Sequence, residues 1–278
     1  MLTTRLTRFA VCAVVLAASV AHDARAQGRR GADARTAAAL GRGRGDDARI
    51  ETRSYFMIEA QKTMTYDVFV SKKVASGKPA PLIIFLHGLG TPARRLLPGL
   101  LDEAEKRGYV IAAPTGYNLQ GWYGANGQTS PSTTPANLGE LSEKDVMSVL
   151  DQMRTTLSID ERRIYLLGQS MGGAGALYLG PKYNRIWAAI GASAPALRRH
   201  QSSSVLETIP TMPVILIHGD ADRAVPVAQS REWAAKMKAL GMPHEYHEIR
   251  GGTHSEGIAR GARWIFDFFD EHPKQPVS

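Results

Sequence analysis

A serine in a glycine-rich turn is the first candidate for chemistry in this sequence. Residues 168–172 read Gly-Gln-Ser-Met-Gly and directly follow the apolar run Ile164–Leu167. A Gly-x-Ser-x-Gly pattern at such a place marks a sharp turn from a strand into a helix, which strains the serine backbone and exposes its hydroxyl. Small neighbours are needed on both sides, and Gly168 and Gly172 supply them. The pattern predicts that Ser170 is a nucleophile.

A serine hydroxyl is a weak nucleophile near neutral pH, so it needs a base and a carboxylate that orients the base. The apolar run Val214–Ile217 is followed by His-Gly-Asp-Ala-Asp at residues 218–222. We expect Asp222 to orient the base, while Asp220 is the alternative and would otherwise hold the turn or the histidine. His254, in the loop Gly-Gly-Thr-His-Ser, is the expected base, although an isolated loop histidine is commonly only solvated.

Acyl transfer also requires two backbone N–H groups directed at the developing oxyanion. We expect one from Met171, directly after the serine and at the start of its helix. The other is expected from Leu89, in the turn His-Gly-Leu-Gly that follows the apolar run Leu82–Leu86. No metal is expected, because His244 and His247 are three residues apart on one strand and therefore point to opposite faces.

These residues require a sheet whose strands end at a common edge. The polarity pattern predicts an antiparallel strand pair followed by continuous apolar runs, which are typical of strands buried on both faces. The predicted pair is Glu51–Ile58 and Met64–Ser71, and the buried strands are Leu82–Leu86, Tyr109–Ala112, Ile164–Leu167, Trp187–Ile190 and Val214–Ile217. Helices are predicted at Leu96–Arg107, Leu141–Leu157, Met171–Tyr183, Val227–Leu240 and Ile258–Glu271. This alternation favours an α/β fold with a mostly parallel sheet and helices on both faces.

The amino-terminal part of the chain has the composition of an exported protein. Arg5 and Arg8 precede the apolar run Phe9–Val20, and Ala-Arg-Ala at residues 24–26 is a small-x-small cleavage site. We therefore predict a signal peptide at 1–26, with a retained anchor as the alternative, and a secreted or periplasmic protein. Cys12, the single cysteine, lies in that segment, so the mature chain would contain neither a disulfide nor a thiol nucleophile.

An Arg/Gly-rich segment, residues 27–49, precedes the predicted catalytic domain at 50–278. Nine arginines and four aspartates in residues 1–49 account for five of the eight net positive charges. This composition favours a flexible linker over a nucleic-acid-binding tract, because an exported chain meets little nucleic acid. We expect no nucleic acid, no stable membrane anchor and no obligate protein partner.

Four stretches resemble the α/β-hydrolase superfamily, and in particular secreted esterases of the polyhydroxybutyrate-depolymerase and feruloyl-esterase type. They are PLIIFLHGLG, DERRIYLLGQSMGGAGALYL, HGDADRAVP and GGTHS, in the order Ser170, Asp222, His254. The chain is also similar to the prolyl-oligopeptidase catalytic domain but has no propeller of the size that gates those enzymes, which counts against peptidase activity. The resemblance implies the triad, the two oxyanion amides and no cofactor.

The expected function is a secreted serine hydrolase that cleaves small-molecule or polymeric carboxylic esters. A serine peptidase acting on short peptides and a catalytically silent binding domain are the alternatives. The long loop from Pro114 to Leu141 follows a strand at the expected catalytic edge and contains Trp122 and Tyr123. These aromatic side chains would either stack on the substrate or pin the loop to the protein body, and the sequence does not decide between the two.

Overall fold

The computed structural model describes residues 47–75 and 77–275. The predicted signal peptide and residues 27–46 of the predicted linker lie outside the described residues. The last residues assigned to the linker contact the folded domain, since Arg49 Nη1 donates to Asp102 Oδ1 at 3.0 Å. Over the described ranges, no helix combines the length and the apolar character needed to cross a membrane.

The core of the domain is one eight-stranded sheet in the order β1-β2-β4-β3-β5-β6-β7-β8. The β1–β2 and β2–β4 pairs are antiparallel, and all the other pairs are parallel. The strands are β1 Glu51–Met57, β2 Lys62–Val70, β3 Ala80–Leu86, β4 Val110–Pro114, β5 Ile159–Gln169, β6 Ile190–Ser193, β7 Val214–Gly219 and β8 His244–Ile249. The predicted α/β class, the parallel sheet and the antiparallel first pair are confirmed.

Five α-helices cover the two faces of this sheet. They are α1 Leu101–Arg107, α2 Leu138–Thr156, α3 Met171–Lys182, α4 Ala228–Ala239 and α5 Gly257–Glu271. Strand β3 shows why the buried runs are continuously apolar. Its residues Leu82, Ile84 and Leu86 pack into the core beneath α2, α3 and α4, whereas Ile83 and Phe85 pack into the core beneath α1 and α5.

Most predicted elements differ from the structure by a few residues at their ends, for example β5, which begins at Ile159 and not at Ile164. Two of the differences have a clear physical cause. The helix predicted from Leu96 begins at Leu101, and 3₁₀ turns occupy Ala93–Arg95 and Leu97–Gly99 instead. Pro98 in the second turn cannot donate a helical hydrogen bond, and the glycine after it is a weak helix former. The strand predicted at Trp187–Ile190 begins only at Ile190, because the tryptophan is buried as core and its indole N–H bonds to Leu179 O of α3 at 3.2 Å.

The parallel strands all end at one edge of the sheet, as parallel strands in one sheet must. Ligands bind beyond this edge in open α/β sheets, because the loops that follow the strands converge there. The predicted reactive residues follow β3, β5, β7 and β8, so the topology brings them to the same edge. We call it the catalytic edge.

Candidate active site

The turn after β5 has the strained geometry that the sequence predicts for a nucleophile. Ser170 has φ 57° and ψ −116°, a conformation that residues with a side chain rarely adopt. Both flanking glycines are sterically required. A Cβ atom on Gly168 would lie 2.0 Å from Gly172 O, and a Cβ atom on Gly172 would lie 2.0 Å from Leu86 O. The turn therefore depends on two positions that have no room for a side chain.

Ser170, His254 and Asp222 form one continuous chain of hydrogen bonds. The Ser170 Oγ lies 2.8 Å from His254 Nε2, and His254 Nδ1 lies 2.7 Å from Asp222 Oδ2. Asp220 does not contact the histidine ring. Its Oδ1 instead accepts the N–H of Gly251 at 2.6 Å and so holds the start of the loop that carries His254.

The Asp222 carboxylate is buried but accepts hydrogen bonds on both oxygens. Its Oδ1 accepts the N–H groups of Ala224 at 2.8 Å and Val225 at 3.0 Å, while Oδ2 faces His254. Burial alone would raise the pKa of Asp222, but the bonds from Val225, His254 and Ala224 outweigh it and hold the pKa below its ordinary value. The carboxylate is therefore ionised at neutral pH, so His254 Nδ1 is the donor and Nε2 is left to accept the serine proton.

A second histidine, not singled out from the sequence, reaches the same carboxylate oxygen. His218, at the end of β7, is fully buried and its Nε2 lies 3.1 Å from Asp222 Oδ2. Its Nδ1 lies 2.7 Å from Ser230 Oγ of α4. The signal in the sequence is a histidine at the end of a buried strand, four residues before the orienting aspartate. Burial lowers the pKa of His218, which keeps its imidazole neutral.

The two predicted oxyanion amides belong to segments that lie next to the serine. Leu89 belongs to the turn after β3, where a Cβ atom on Gly88 would lie 3.5 Å from Ser170 Cβ, so this turn runs directly beside the nucleophile. The amide of Met171 begins α3. Within the described part of the chain, neither the Leu89 nor the Met171 amide donates a hydrogen bond to another protein atom. Both donors are therefore available to a ligand.

The two aromatic residues proposed to bind substrate have different surroundings. Tyr123 is completely buried, with its hydroxyl accepting the N–H of His87 at 3.0 Å and its own N–H donating to Ser142 Oγ at 3.0 Å. Its proposed substrate contact is therefore wrong, because the ring is core and pins the loop to β3 and α2. Trp122 is only partly buried, and the Arg198 guanidinium carbon lies 4.6 Å from the centre of its ring.

Helix α2 holds the loop around these aromatic residues through buried polar side chains. Asp145 Oδ2 accepts the N–H groups of Gly116 at 2.6 Å and Tyr117 at 3.2 Å, and its Oδ1 accepts the Tyr55 hydroxyl at 2.5 Å. Glu143 accepts from Gln128 Nε2 at 2.8 Å. These contacts give the loop a defined shape next to the catalytic edge.

Over residues 47–75 and 77–275, no three His, Cys, Asp or Glu side chains are arranged to hold a metal ion. The two histidines of β8 have separate partners. His244 Nδ1 contacts Met242 O at 2.8 Å, and His247 Nε2 contacts Glu245 Oε2 at 2.5 Å.

A sheet of this order, with a serine elbow after β5 and the aspartate and histidine in the loops after β7 and β8, defines an α/β hydrolase. Residues 111–262 match the model of the Phospholipase/Carboxylesterase family, and the chain belongs to that family. The resemblance to α/β hydrolases stated from the sequence is thereby confirmed.

Individual relatives agree with this assignment. The chain is 30% identical to the "putative esterase NocK" of Nocardia uniformis subsp. tsuyamanensis, over 66% of this chain and 53% of that protein. It is 25% identical to the acylamino-acid-releasing enzyme of Rattus norvegicus, over 59% of this chain and 27% of the enzyme. The chain therefore spans about half or less of the length of these two relatives. A ferulic acid esterase structure from Anaeromyces mucronatus shares the fold, with a TM-score of 0.64, 16% identity, and coverage of 83% of this chain and 94% of that one.

Proposed function

We propose that this protein is a serine esterase that hydrolyses carboxylic esters through an acyl-enzyme intermediate. The observation that carries the proposal is the hydrogen-bonded chain from Ser170 Oγ through His254 to Asp222. Family membership and the similarity to NocK support the same activity.

In the first half of the reaction, Ser170 Oγ forms a bond to the ester carbonyl carbon while its proton moves to His254 Nε2. The carbonyl oxygen takes the negative charge and accepts hydrogen bonds from the amides of Leu89 and Met171. Each such donor contributes roughly 10²- to 10³-fold to the rate. The C–O bond to the alcohol then breaks, and His254 returns its proton to the leaving oxygen.

In the second half, water attacks the acyl-enzyme. His254 Nε2 takes a proton from the water as its oxygen bonds to the acyl carbon, and returns it to Ser170 Oγ as the acid leaves. The ionised Asp222 stabilises the imidazolium each time it forms. Every proton moves between residues of the site, water and substrate, so the cycle regenerates the enzyme without a cofactor.

The substrate is proposed to be a small-molecule or polymeric ester that approaches past Trp122. The partly exposed indole, with Arg198 against its ring, offers an aromatic wall on the loop that follows β4 at the catalytic edge. Aromatic walls of this kind favour flat or apolar acyl and alcohol groups.

The second candidate is hydrolysis of acylated peptides, favoured by the similarity to the rat acylamino-acid-releasing enzyme. Amides are the harder target because the leaving amine is poor. A single comparison separates the two candidates, since ester and amide substrates can be matched in their acyl group.

The test uses the chain from Gln27 with a series of p-nitrophenyl esters and the matched p-nitroanilides. We expect ester turnover that falls at least about 10³-fold in Ser170→Ala. Comparable turnover of the anilides would establish the peptidase instead. A wild-type protein with no Ser170-dependent turnover of either substrate would contradict both and leave a binding domain.

We further propose that the chain is exported, with cleavage after Ala26 and residues 27–46 as a linker to the catalytic domain. The support is the basic, apolar and small-residue order of the first 26 residues. Expression of the full chain followed by amino-terminal sequencing of the extracytoplasmic fraction tests this. A chain that stays in the cytoplasm with an intact amino terminus would refute export.

A further inference from the structure

His218 occupies a buried position behind the orienting carboxylate. No solvent reaches its side chain, and its ring nitrogens contact only groups from the loop after β7 and from α4. A buried imidazole surrounded by partners on both nitrogens has one defined orientation, because rotation would leave both nitrogens unpaired.

The partners of the ring determine where its proton lies. Nε2 faces two acceptors, Asp222 Oδ2 at 3.1 Å and Val225 O at 3.2 Å. A carbonyl oxygen has no hydrogen to donate, so Nε2 must carry the proton and share it between them. Nδ1 then accepts the hydroxyl proton of Ser230 at 2.7 Å. The neutral ring therefore donates from one side and accepts from the other.

This arrangement makes Asp222 Oδ2 a shared acceptor. Two backbone N–H groups hold Oδ1, and neither of them contacts Oδ2. Oδ2 is held by His218 on one side and His254 on the other. His254 exchanges protons at Nε2 during the reaction, whereas His218 takes no part in the proton transfer and is the donor to Oδ2 whose own charge does not change.

We propose that His218 is a positioning residue, which fixes Asp222 Oδ2 in line with His254 and is itself held by Ser230. The role acts through the aspartate, since His218 is buried and does not touch substrate. It rests on the proposed serine-hydrolase function for its kinetic consequence. The residues that support catalysis would then include Ser230 of α4, a helix that otherwise packs the core beneath β7 and β8.

Two substitutions at position 218 separate the effect of the N–H donor from the effect of the flat ring. His218→Phe keeps a flat ring of similar size but removes the N–H, whereas His218→Gln places an amide N–H near the position of Nε2. We expect the phenylalanine variant to lose about 10- to 100-fold in kcat with KM within about twofold, because the hydrogen bond to a charged group is lost. We expect the glutamine variant to recover most of that loss.

Two further readouts distinguish positioning from general damage. The first is the split between kcat and KM, since a misplaced Asp222 should lower kcat and leave KM nearly unchanged. The downfield proton NMR signal of the His254 Nδ1–Asp222 hydrogen bond should broaden or disappear. The matched control is Tyr165→Phe, which removes a buried hydrogen bond to Phe269 O, 2.6 Å long, on the face of the sheet under α5. It should leave kcat, KM and the downfield signal unchanged.

The proposal is overturned if His218→Phe keeps the wild-type kcat and downfield signal. It is also overturned if the glutamine and phenylalanine variants are equally impaired, or if Tyr165→Phe gives the same changes. Should His218→Phe not fold, Ser230→Ala takes its place, with a loss of about threefold to tenfold and the same NMR change expected. The NMR signal needs no turnover, so a protein without esterase activity refutes the proposed function while the signal still tests His218.

Discussion

Asp220 and Asp222 are two residues apart in the sequence and have different partners in the structure. Asp222 faces the imidazole of His254, whereas Asp220 accepts the N–H of Gly251 and holds the turn before that histidine. The difference between orienting a ring and holding a turn can be measured, because asparagine preserves size and removes charge at both positions.

We expect Asp222→Asn to lower kcat/KM by about 10³- to 10⁴-fold. The new amide would present N–H hydrogens to donors and turn His254 to the tautomer that cannot accept the serine proton. Asp220→Asn should cost less than about tenfold, since an amide oxygen still accepts from Gly251. Steady-state kinetics on a p-nitrophenyl ester measure both. A larger loss in Asp220→Asn than in Asp222→Asn would assign the orienting role to Asp220.

Gly172 is needed because its position has no room for a side chain, and it takes no part in the chemistry. A methyl group there would meet Leu86 O at 2.0 Å, where backbone surrounds it. We expect Gly172→Ala to destabilise the fold by about 3 kcal/mol or more. The control is Gly241→Ala, at φ 65° with nothing within 4 Å, which should cost only about 1 kcal/mol of strain. Urea unfolding measures both values, and equal losses would contradict the steric account.

At the scale of elements, α2 shapes the loop that borders the catalytic edge. Three residues of that loop other than glycine have positive φ: Tyr117 at 64°, Trp122 at 57° and Tyr123 at 54°. Such conformations persist only when the surroundings hold them. Asp145 helps to fix the loop in this conformation, because it accepts hydrogen bonds from the amides of Gly116 and Tyr117 and from the hydroxyl of Tyr55.

We predict that Asp145 holds the loop through its hydrogen bonds and that its negative charge is not needed. Asparagine in its place can accept both amide hydrogens with its oxygen and donate to the Tyr55 hydroxyl, so Asp145→Asn should keep kcat/KM within about threefold. Asp145→Leu removes the acceptor of the buried Gly116 amide and of the part-buried Tyr117 amide and Tyr55 hydroxyl, and should cost about 2–4 kcal/mol of unfolding free energy. Because it loosens the loop, it should also raise KM for bulky esters. Equal kinetics in the two variants would contradict the role given to Asp145.

The wild type and Asp145→Asn together also test the electrostatics of α2. Burial raises the pKa of Asp145 above its ordinary value near 3.9. A raised folded-state pKa means that the carboxyl contributes most to stability below about pH 4 and that this contribution is lost as pH rises through the raised value. The unfolding free energy of the wild type minus that of Asp145→Asn should therefore fall with rising pH and then level off. A difference that grows with pH would show the opposite shift.

The elements that local pattern predicts well are those in which a single local cause dominates. Continuous apolar runs predicted β3, β5 and β7, and the glycine spacing predicted the turn at Ser170. Local pattern cannot show which side chain a long loop buries, since Tyr123 becomes core only through contacts with His87 and Ser142, far from it in sequence. His218 was missed for a similar reason, because a polar residue ending a buried strand does not reveal its partner on α4.

At the scale of the whole domain, an ion-pair cluster lies at the edge of the sheet opposite the catalytic edge. Arg107 ends α1 just before β4 begins, at the edge away from the serine. It donates to Glu103 Oε2 at 2.9 Å, Asp267 Oδ1 at 2.6 Å and Asp270 Oδ2 at 2.8 Å, so it ties α1 to the last turns of α5. Asp270 also accepts the Tyr109 hydroxyl at 2.6 Å. This cluster joins α1 to α5 at the end of the two helices that lies away from the catalytic edge.

Because only 16% of the Arg107 side chain is exposed, we expect Arg107→Ala to lower the unfolding free energy by about 1–3 kcal/mol. The unfolding free energy of Arg107→Lys should lie between those of the wild type and Arg107→Ala, since an ammonium group lacks the planar fork that meets three carboxylates. The hydrogen bond from Arg107 holds the pKa of Asp267 below its ordinary value. The stabilisation is therefore present above about pH 4 and is lost as pH falls through that lowered value, so the Arg107→Ala penalty should shrink in acid.

Kinetics decide whether this cluster is independent of the catalytic edge. Under conditions where each variant is fully folded, kcat and KM of Arg107→Ala should equal those of the wild type, because the Ser170, His254 and Asp222 contacts depend on β5, β7 and the start of α5. The measurements are urea unfolding at pH 7 and at a pH well below 4, beside ester hydrolysis at 25 °C. A folded Arg107→Ala with lowered kcat would mean that α5 transmits changes from its last turns to the loop of His254, and the two edges would then be coupled.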